Sequence, residues 1–115
     1  MRIRSLAAGA AVAVIVSAAA VFGTTSAAFA DTCPNSRDVY INGGESHYTL
    51  TCYSGKIYVD GRVTDTKADG YCMRVKALIN GYWHYSERAC PKGTTRYFSW
   101  NDWGNEAFVY TYKEP

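Results

Sequence analysis

Beyond residue 30 the apolar positions fall into short runs of period two. Ile57, Val59 and Val63 alternate with Tyr58, Arg62 and Thr64, and Met73, Val75, Ala77 and Ile79 alternate with Arg74 and Lys76. Successive side chains of a strand point to opposite faces, so each run reads as a half-buried strand with one wet face. No stretch keeps a helical period, and the runs recur about every ten residues, separated by Gly, Asn and Asp. Strands are predicted near Asp38–Asn42, Ser46–Cys52, Lys56–Asp65, Tyr71–Ile79, Tyr82–Cys90, Thr94–Trp100 and Glu106–Lys113. Near the end, Phe98 and Trp100 share a face, as do Phe108, Tyr110 and Tyr112. The expected fold is all-β: a small antiparallel β-sandwich of about seven short strands, wound as a meander or Greek key.

The turns fix registers. Asn42-Gly43 is a type I′ hairpin signal. A two-residue loop there pairs Ile41 with Gly44 and carries Cys33 opposite Cys52, with Val39, Ile41, Tyr48 and Leu50 on one apolar face. Asn80-Gly81 offers a second hairpin, in which a three-residue loop Asn80–Tyr82 sets Cys72 opposite Cys90 and, less comfortably, Arg74 opposite Arg88. Four cysteines allow three connectivities. The registers favour the sequential one, Cys33–Cys52 and Cys72–Cys90.

The N-terminus changes the picture of what folds. Arg2 and Arg4 form a positive start, Leu6 to Phe22 an apolar stretch, and Ala28-Phe29-Ala30 a small-x-small cleavage site. Gly9 and Ser17 interrupt the apolar stretch, and Gly23-Thr24-Thr25-Ser26 follows it instead of basic stop-transfer residues, so it reads as a cleaved signal and not as an anchor. The expected organisation is a secretory signal peptide over 1–30 and one disulfide-stapled domain over 31–115. Such a domain is secreted and extracellular, where disulfides persist, and it inserts into no membrane once the signal is removed. A core this small needs staples, each bridge contributing about 3 kcal/mol.

Charge then narrows the partners. Losing Arg2 and Arg4 from the 12 Lys and Arg balances the 10 Asp and Glu. Nucleic acid is not expected, because its recognition needs a clustered excess of Lys and Arg.

Candidate chemistry is sparse. With the cysteines bridged, only His47 and His84 remain as soft ligands, in different strands, so neither metal nor other cofactor is expected. Ser86 shares a strand face with His84, but that pair lacks an orienting acid and an oxyanion hole. Asp60 and Asp65 fall on opposite faces, which rules out paired carboxylate work, and no G-x-S-x-G elbow occurs. Turn-located Asp65, Asp69, Asn101, Asp102, Asn105 and Glu106 do not follow the D-x-[DN]-x-[DN]-G calcium loop and are ordinary turn residues. No catalytic residue is assigned and no enzymatic activity is expected.

Aromatic clustering beside turns stands above this background. Tyr82-Trp83-His84-Tyr85 follows Asn80-Gly81, and Trp100-Asn101-Asp102-Trp103 ends the sixth predicted strand, with Trp103 in a loop. A strand buries only alternate residues, so either Tyr82 and His84 or Trp83 and Tyr85 must face outward. Exposed Trp and Tyr anchor protein interfaces and also stack on sugar rings; the plainer reading is that Trp83, Trp100 and Trp103 thicken a thin core. The candidate binding residues are Tyr82, Trp83, His84, Tyr85, Trp100, Asn101, Asp102 and Trp103.

The stretches Asp65–Cys72 and Ala89–Trp100, with the Ala-rich signal and two bridges, resemble the small secreted two-disulfide β-domain proteins of actinobacteria, a group with no assigned activity. The scaffold is also similar in style to the tendamistat-type α-amylase inhibitors. That family presents a Trp-Arg-Tyr loop, for which this chain has only Tyr82-Trp83-His84-Tyr85, and its uneven cysteine spacing is not repeated here, so the similarity extends to the scaffold alone.

These readings lead to a secreted, non-enzymatic protein-interaction module, either an inhibitor of a secreted hydrolase or an accessory subunit of an extracellular assembly. An extracellular protein is the expected partner. The alternative is a small carbohydrate-binding module, with a glycan as ligand of the exposed Trp and Tyr.

Overall fold

The computed structural model describes residues 16–21 and 24–115. Arg2, Arg4 and most of the apolar stretch of the predicted signal lie outside the described residues. Among the described residues nine strands follow one another: β1 (Val16–Val21), β2 (Ser26–Thr32), β3 (Asn35–Ile41), β4 (Gly44–Tyr53), β5 (Lys56–Asp65), β6 (Cys72–Ile79), β7 (Tyr82–Tyr85), β8 (Thr95–Trp103) and β9 (Glu106–Glu114). The seven predicted strands are β3 to β9. The two further strands, β1 and β2, fall largely within the stretch read as an export signal.

The strands form two sheets, ordered β1-β3-β4-β5-β8 and β2-β9-β6-β7. Every pairing is antiparallel except that of β1 with β3. Alternate residues of the two sheets meet between them: Val39, Leu50, Ile57, Val59 and Val63 from one, Met73, Val75, Ala77, Ile79 and Val109 from the other, all essentially inaccessible. Each such side chain contributes about 1.5–3 kcal/mol by leaving water, and period two is what delivers them to one layer.

The first hairpin has the predicted register, Ile41 against Gly44 through Asn35 against Leu50, and the Cys33–Cys52 bridge closes its open end with the Cα atoms 5.8 Å apart. The turn itself is not type I′, because only Gly43 has a positive φ, 112°. Asn42 keeps a negative φ and donates its N–H to the Thr24 carbonyl. The positive pair required by type I′ occurs instead at Ser54-Gly55 and Asn80-Gly81.

The second hairpin corrects its prediction. Its loop has two residues, not three, and pairs Ile79 with Tyr82 and Lys76 with Tyr85. Further along, however, Met73 bridges Ala89, and the Cys72–Cys90 disulfide follows that second register with its Cα atoms 4.8 Å apart. A one-residue slip therefore separates turn and bridge, and β7 stops at Tyr85 where a strand to Cys90 was expected. The slip sits at Ser86–Arg88, where Ser86 donates its N–H to the Val75 carbonyl and its Oγ accepts the Val75 N–H. The expected conflict of Arg74 with Arg88 is relieved by Glu114, whose carboxylate lies 3.4 Å from one guanidinium and 3.7 Å from the other. The sixth predicted strand also runs longer than expected, since Lys56 of β5 pairs with Trp103 and draws that residue into β8.

Candidate functional site: the aromatic face of the β2-β9-β6-β7 sheet

Ala77 and Ile79 face the core, so their neighbours Lys76 and Leu78 face out, and the registers of β7 and β9 carry this parity across the sheet. Leu78 stands between Trp83 and Phe108, and Lys76 between Tyr85 and Tyr110; Arg74 stands beside Tyr112. The outer surface is consequently a field of five rings threaded by two cations. Lys76 Nζ lies 4.8 Å from the Trp83 ring centroid, 5.4 Å from Tyr110 and 5.3 Å from Tyr112, and Arg74 Cζ lies 5.1 Å from Tyr85. The rings also touch one another, Trp83 with Tyr110 at 5.5 Å and with Tyr85 at 6.4 Å.

Each cation–π contact stabilises the array by roughly 0.5–1 kcal/mol at such exposed positions, which holds the rings in place without hiding them. Trp83 remains 44% exposed, Tyr85 48% and Phe108 39%. Burial by the neighbouring strands, ahead of the charge of Glu114, raises the pKa of the Tyr112 phenol, so it is a neutral donor at any physiological pH. Arg74 is tied down by Glu114 and by the Ser86 carbonyl, 2.8 Å from its Nε.

The outer face of the other sheet differs in kind. Its centre is a polar cluster in which His47 Nδ1 is 2.6 Å from Asp38 and its Nε2 3.2 Å from Glu45, while Ser99 bonds Asp60; Thr49 and Arg62 lie in the same face, and the exposed rings of Tyr97 and Trp103 stand on its β8 edge. Exposed rings therefore occur on both outer faces, and the β2-β9-β6-β7 face is distinguished by three rings sharing one ammonium, that of Lys76.

The eight sequence candidates separate. Trp83 and Tyr85 lie on the aromatic face, and Tyr82, opposite the core-facing Ile79 and so of the other parity, is nevertheless 65% exposed at the turn. His84 points the other way, between the sheets, where its ring lies 5.9 Å from that of Trp100 and its Nε2 is 3.6 Å from Asp102. Trp100 in turn stacks on Phe98 at 4.6 Å and packs against the core, so it acts as filling at the seam between β7 and β8. Asp102 accepts the Trp103 N–H, a bond that leads the causes holding its carboxyl below the usual range. Asn101 faces outward from β8. Trp103, in β8 and not in a loop, lies 59% exposed, its ring 4.9 Å from Lys56 Nζ. It borders a cavity of about 290 Å³ shared with Leu78, Asn80, Asn105, Glu106 and Phe108, where the aromatic face turns the end of the sandwich.

Ser86 is buried, its Oγ donating to the Glu87 carbonyl while it accepts from Val75, and it makes no bond to His84. Asp69 is engaged by Lys113 at 2.8 Å. Among the described residues no group of three His, Cys, Asp or Glu side chains converges as a metal site. The residues that sequence reasoning left out of the site are Lys76, Arg74, Phe108, Tyr110 and Tyr112. Their shared parity was visible; what was not is that β9, last in the chain, lies beside β6.

No protein family, curated protein or solved structure matches this chain.

Proposed function

We propose that the protein is a secreted interaction module that engages an extracellular protein partner, an inhibited hydrolase or a co-assembling subunit, through the outer face of the β2-β9-β6-β7 sheet. The observation that carries this reading is the placement of Trp83, Tyr85, Tyr110 and Tyr112 around Lys76. Trp, Tyr and cationic side chains on a rigid, disulfide-stapled frame are the composition of interface hot spots, and a preordered surface loses little entropy on binding. Lys76 has rings and no carboxylate around it among the described residues, so the partner is expected to bring an acidic group to that point.

A pull-down from culture supernatant with the tagged protein as bait tests the reading. Trp83→Ala and Lys76→Ala should each weaken capture of a stoichiometric partner at least tenfold, while Tyr97→Ala on the opposite sheet leaves it unchanged. Capture that survives both changes would sink the proposal. The Trp103 cavity favours the second reading: an exposed indole beside Asn80, Asn105 and Glu106 offers a stacking plane with amide and carboxylate partners for one sugar ring. Retention on insoluble polysaccharide that Trp103→Ala abolishes would move the function there.

A further inference from the structure

The β9 edge is filled by Ser26–Thr32, residue against residue from Ser26 with Tyr112 to Thr32 with Glu106. Ala27 and Phe29 turn inward and pack on the core, and the Arg37 guanidinium covers the Phe29 ring at 4.1 Å. The next inward residue, Asp31, is fixed separately. Its buried carboxylate takes two bonds from Arg37, at 2.6 and 2.8 Å, and one from Asn35 at 3.0 Å. The small-x-small site Ala28-Phe29-Ala30 ends one residue before this anchor. Hydrolysis of the Ala30–Asp31 bond would therefore leave Asp31 pinned at the end of β9 while withdrawing the segment that supplies Ala27 and Phe29, together with β1 from the edge of β3.

We propose that the processed protein carries along β9 an open strand slot, in which an extended segment of its partner protein pairs with β9 and seats an aromatic side chain under Arg37. The inference rests on the reading of residues 1–30 as a removed signal and deepens the proposed protein-binding role. The segment seated in the slot states its chemistry: small residues, with one aromatic facing inward beside Val109. An edge strand of nine residues with inward Ala107, Val109 and Thr111 is a template for strand addition. Continuity with the aromatic face argues for the same partner, because the outward residues of β9 are Phe108, Tyr110 and Tyr112, so an added strand lies next to their rings. Tyr48, the register neighbour of Arg37, brings to this corner a buried hydroxyl with no hydrogen-bond partner, free to meet a polar group of the incoming chain.

The probe is a terminally blocked peptide of residues 25–30, titrated into protein isolated from culture supernatant. Expected are an N-terminus at Asp31, saturable binding, slowed amide exchange along β9, and at least tenfold weaker binding of the same peptide with Phe29→Ala. The partner should be displaced from the protein by the unmodified peptide. A secreted chain that retains Ser26–Ala30, absence of saturable binding, or a dimer whose β9 amides are protected without peptide would each overturn the slot. Peptide binding by the Trp83→Ala protein isolates this result from the partner assay: it should be unchanged, and a partner captured through the aromatic face but not displaced by peptide would leave the face standing and the slot refuted.

Discussion

Ser86 Oγ accepts the N–H of Val75 at 3.0 Å at the point where the β6–β7 pairing slips by one residue. The side chain stands in for the strand carbonyl that the slip removes. It thereby lets a two-residue turn at Asn80-Gly81 coexist with a disulfide whose cysteines follow the other register.

Ser86→Ala should leave the Val75 N–H buried and unpaired, at a cost of about 1–3 kcal/mol. Denaturant unfolding at constant m measures it. A change within a few tenths would mean the slip is held by the disulfide alone.

Much of the fold is legible from periodicity and turns, and the failures have local causes. The first hairpin register follows from Asn42-Gly43 with alternate burial of Val39, Ile41, Tyr48 and Leu50, and both bridges follow from their registers. The second turn was misread because Cys72 and Cys90 do obey the longer-loop register, and nothing in the run Tyr82–Cys90 marks Ser86 as a bulge. The pairing of β9 with β6, which assembles the aromatic face, joins residues that lie 30 to 42 positions apart and leaves no local trace. The parity of Tyr82–Tyr85 was an open choice in the sequence; it is settled by Ile79 and Ala77 facing the core opposite Tyr82 and His84.

Gly61 is held to its identity by a close approach. A Cβ there would lie 2.3 Å from the His47 carbonyl oxygen and 2.9 Å from the tip of the Phe98 ring. Backbone cannot yield as a flexible side chain can, so Gly61→Ala should cost about 1–3 kcal/mol or more by overpacking. Thermal melting checks it, and a melting temperature unchanged from the parent protein would show that the strands yield to the added methyl.

Acid should loosen the turns first. Lys113 holds the Asp69 carboxyl below its usual range, and the Trp103 N–H, followed by weaker contributions from Asn80 and His84, does the same for Asp102. A depressed folded-state pKa gives stability that is fully present above the unfolded value of about 4 and is lost as pH falls through the folded value. The melting temperature should therefore fall as the pH drops below about 4, and the double variant Asp69→Asn, Asp102→Asn should flatten that limb. An unchanged profile in the double variant would place the acid sensitivity elsewhere.

Trp83 and Trp100 test the division between surface and seam. Trp100 stacks on Phe98, lies tilted against His84 and packs on the core, so Trp100→Ala removes ring contacts to both and should cost about 3 kcal/mol or more, near the range for deleting an aromatic from a packed site. Trp83 touches Tyr85, Tyr110 and the Lys76 ammonium on an open face. Trp83→Ala forfeits one cation–π contact and two tilted ring contacts, worth together about 2 kcal/mol, part of which solvation of Lys76 returns. The two variants should then part company in opposite directions: Trp100→Ala melts early yet, when folded, keeps its partner, whereas Trp83→Ala keeps most of its melting temperature and loses affinity at least tenfold, equivalent to about 1.4 kcal/mol. Paired melting and binding curves on both proteins decide it, and a Trp83→Ala protein as destabilised as Trp100→Ala would make the aromatic face a structural element of the sandwich.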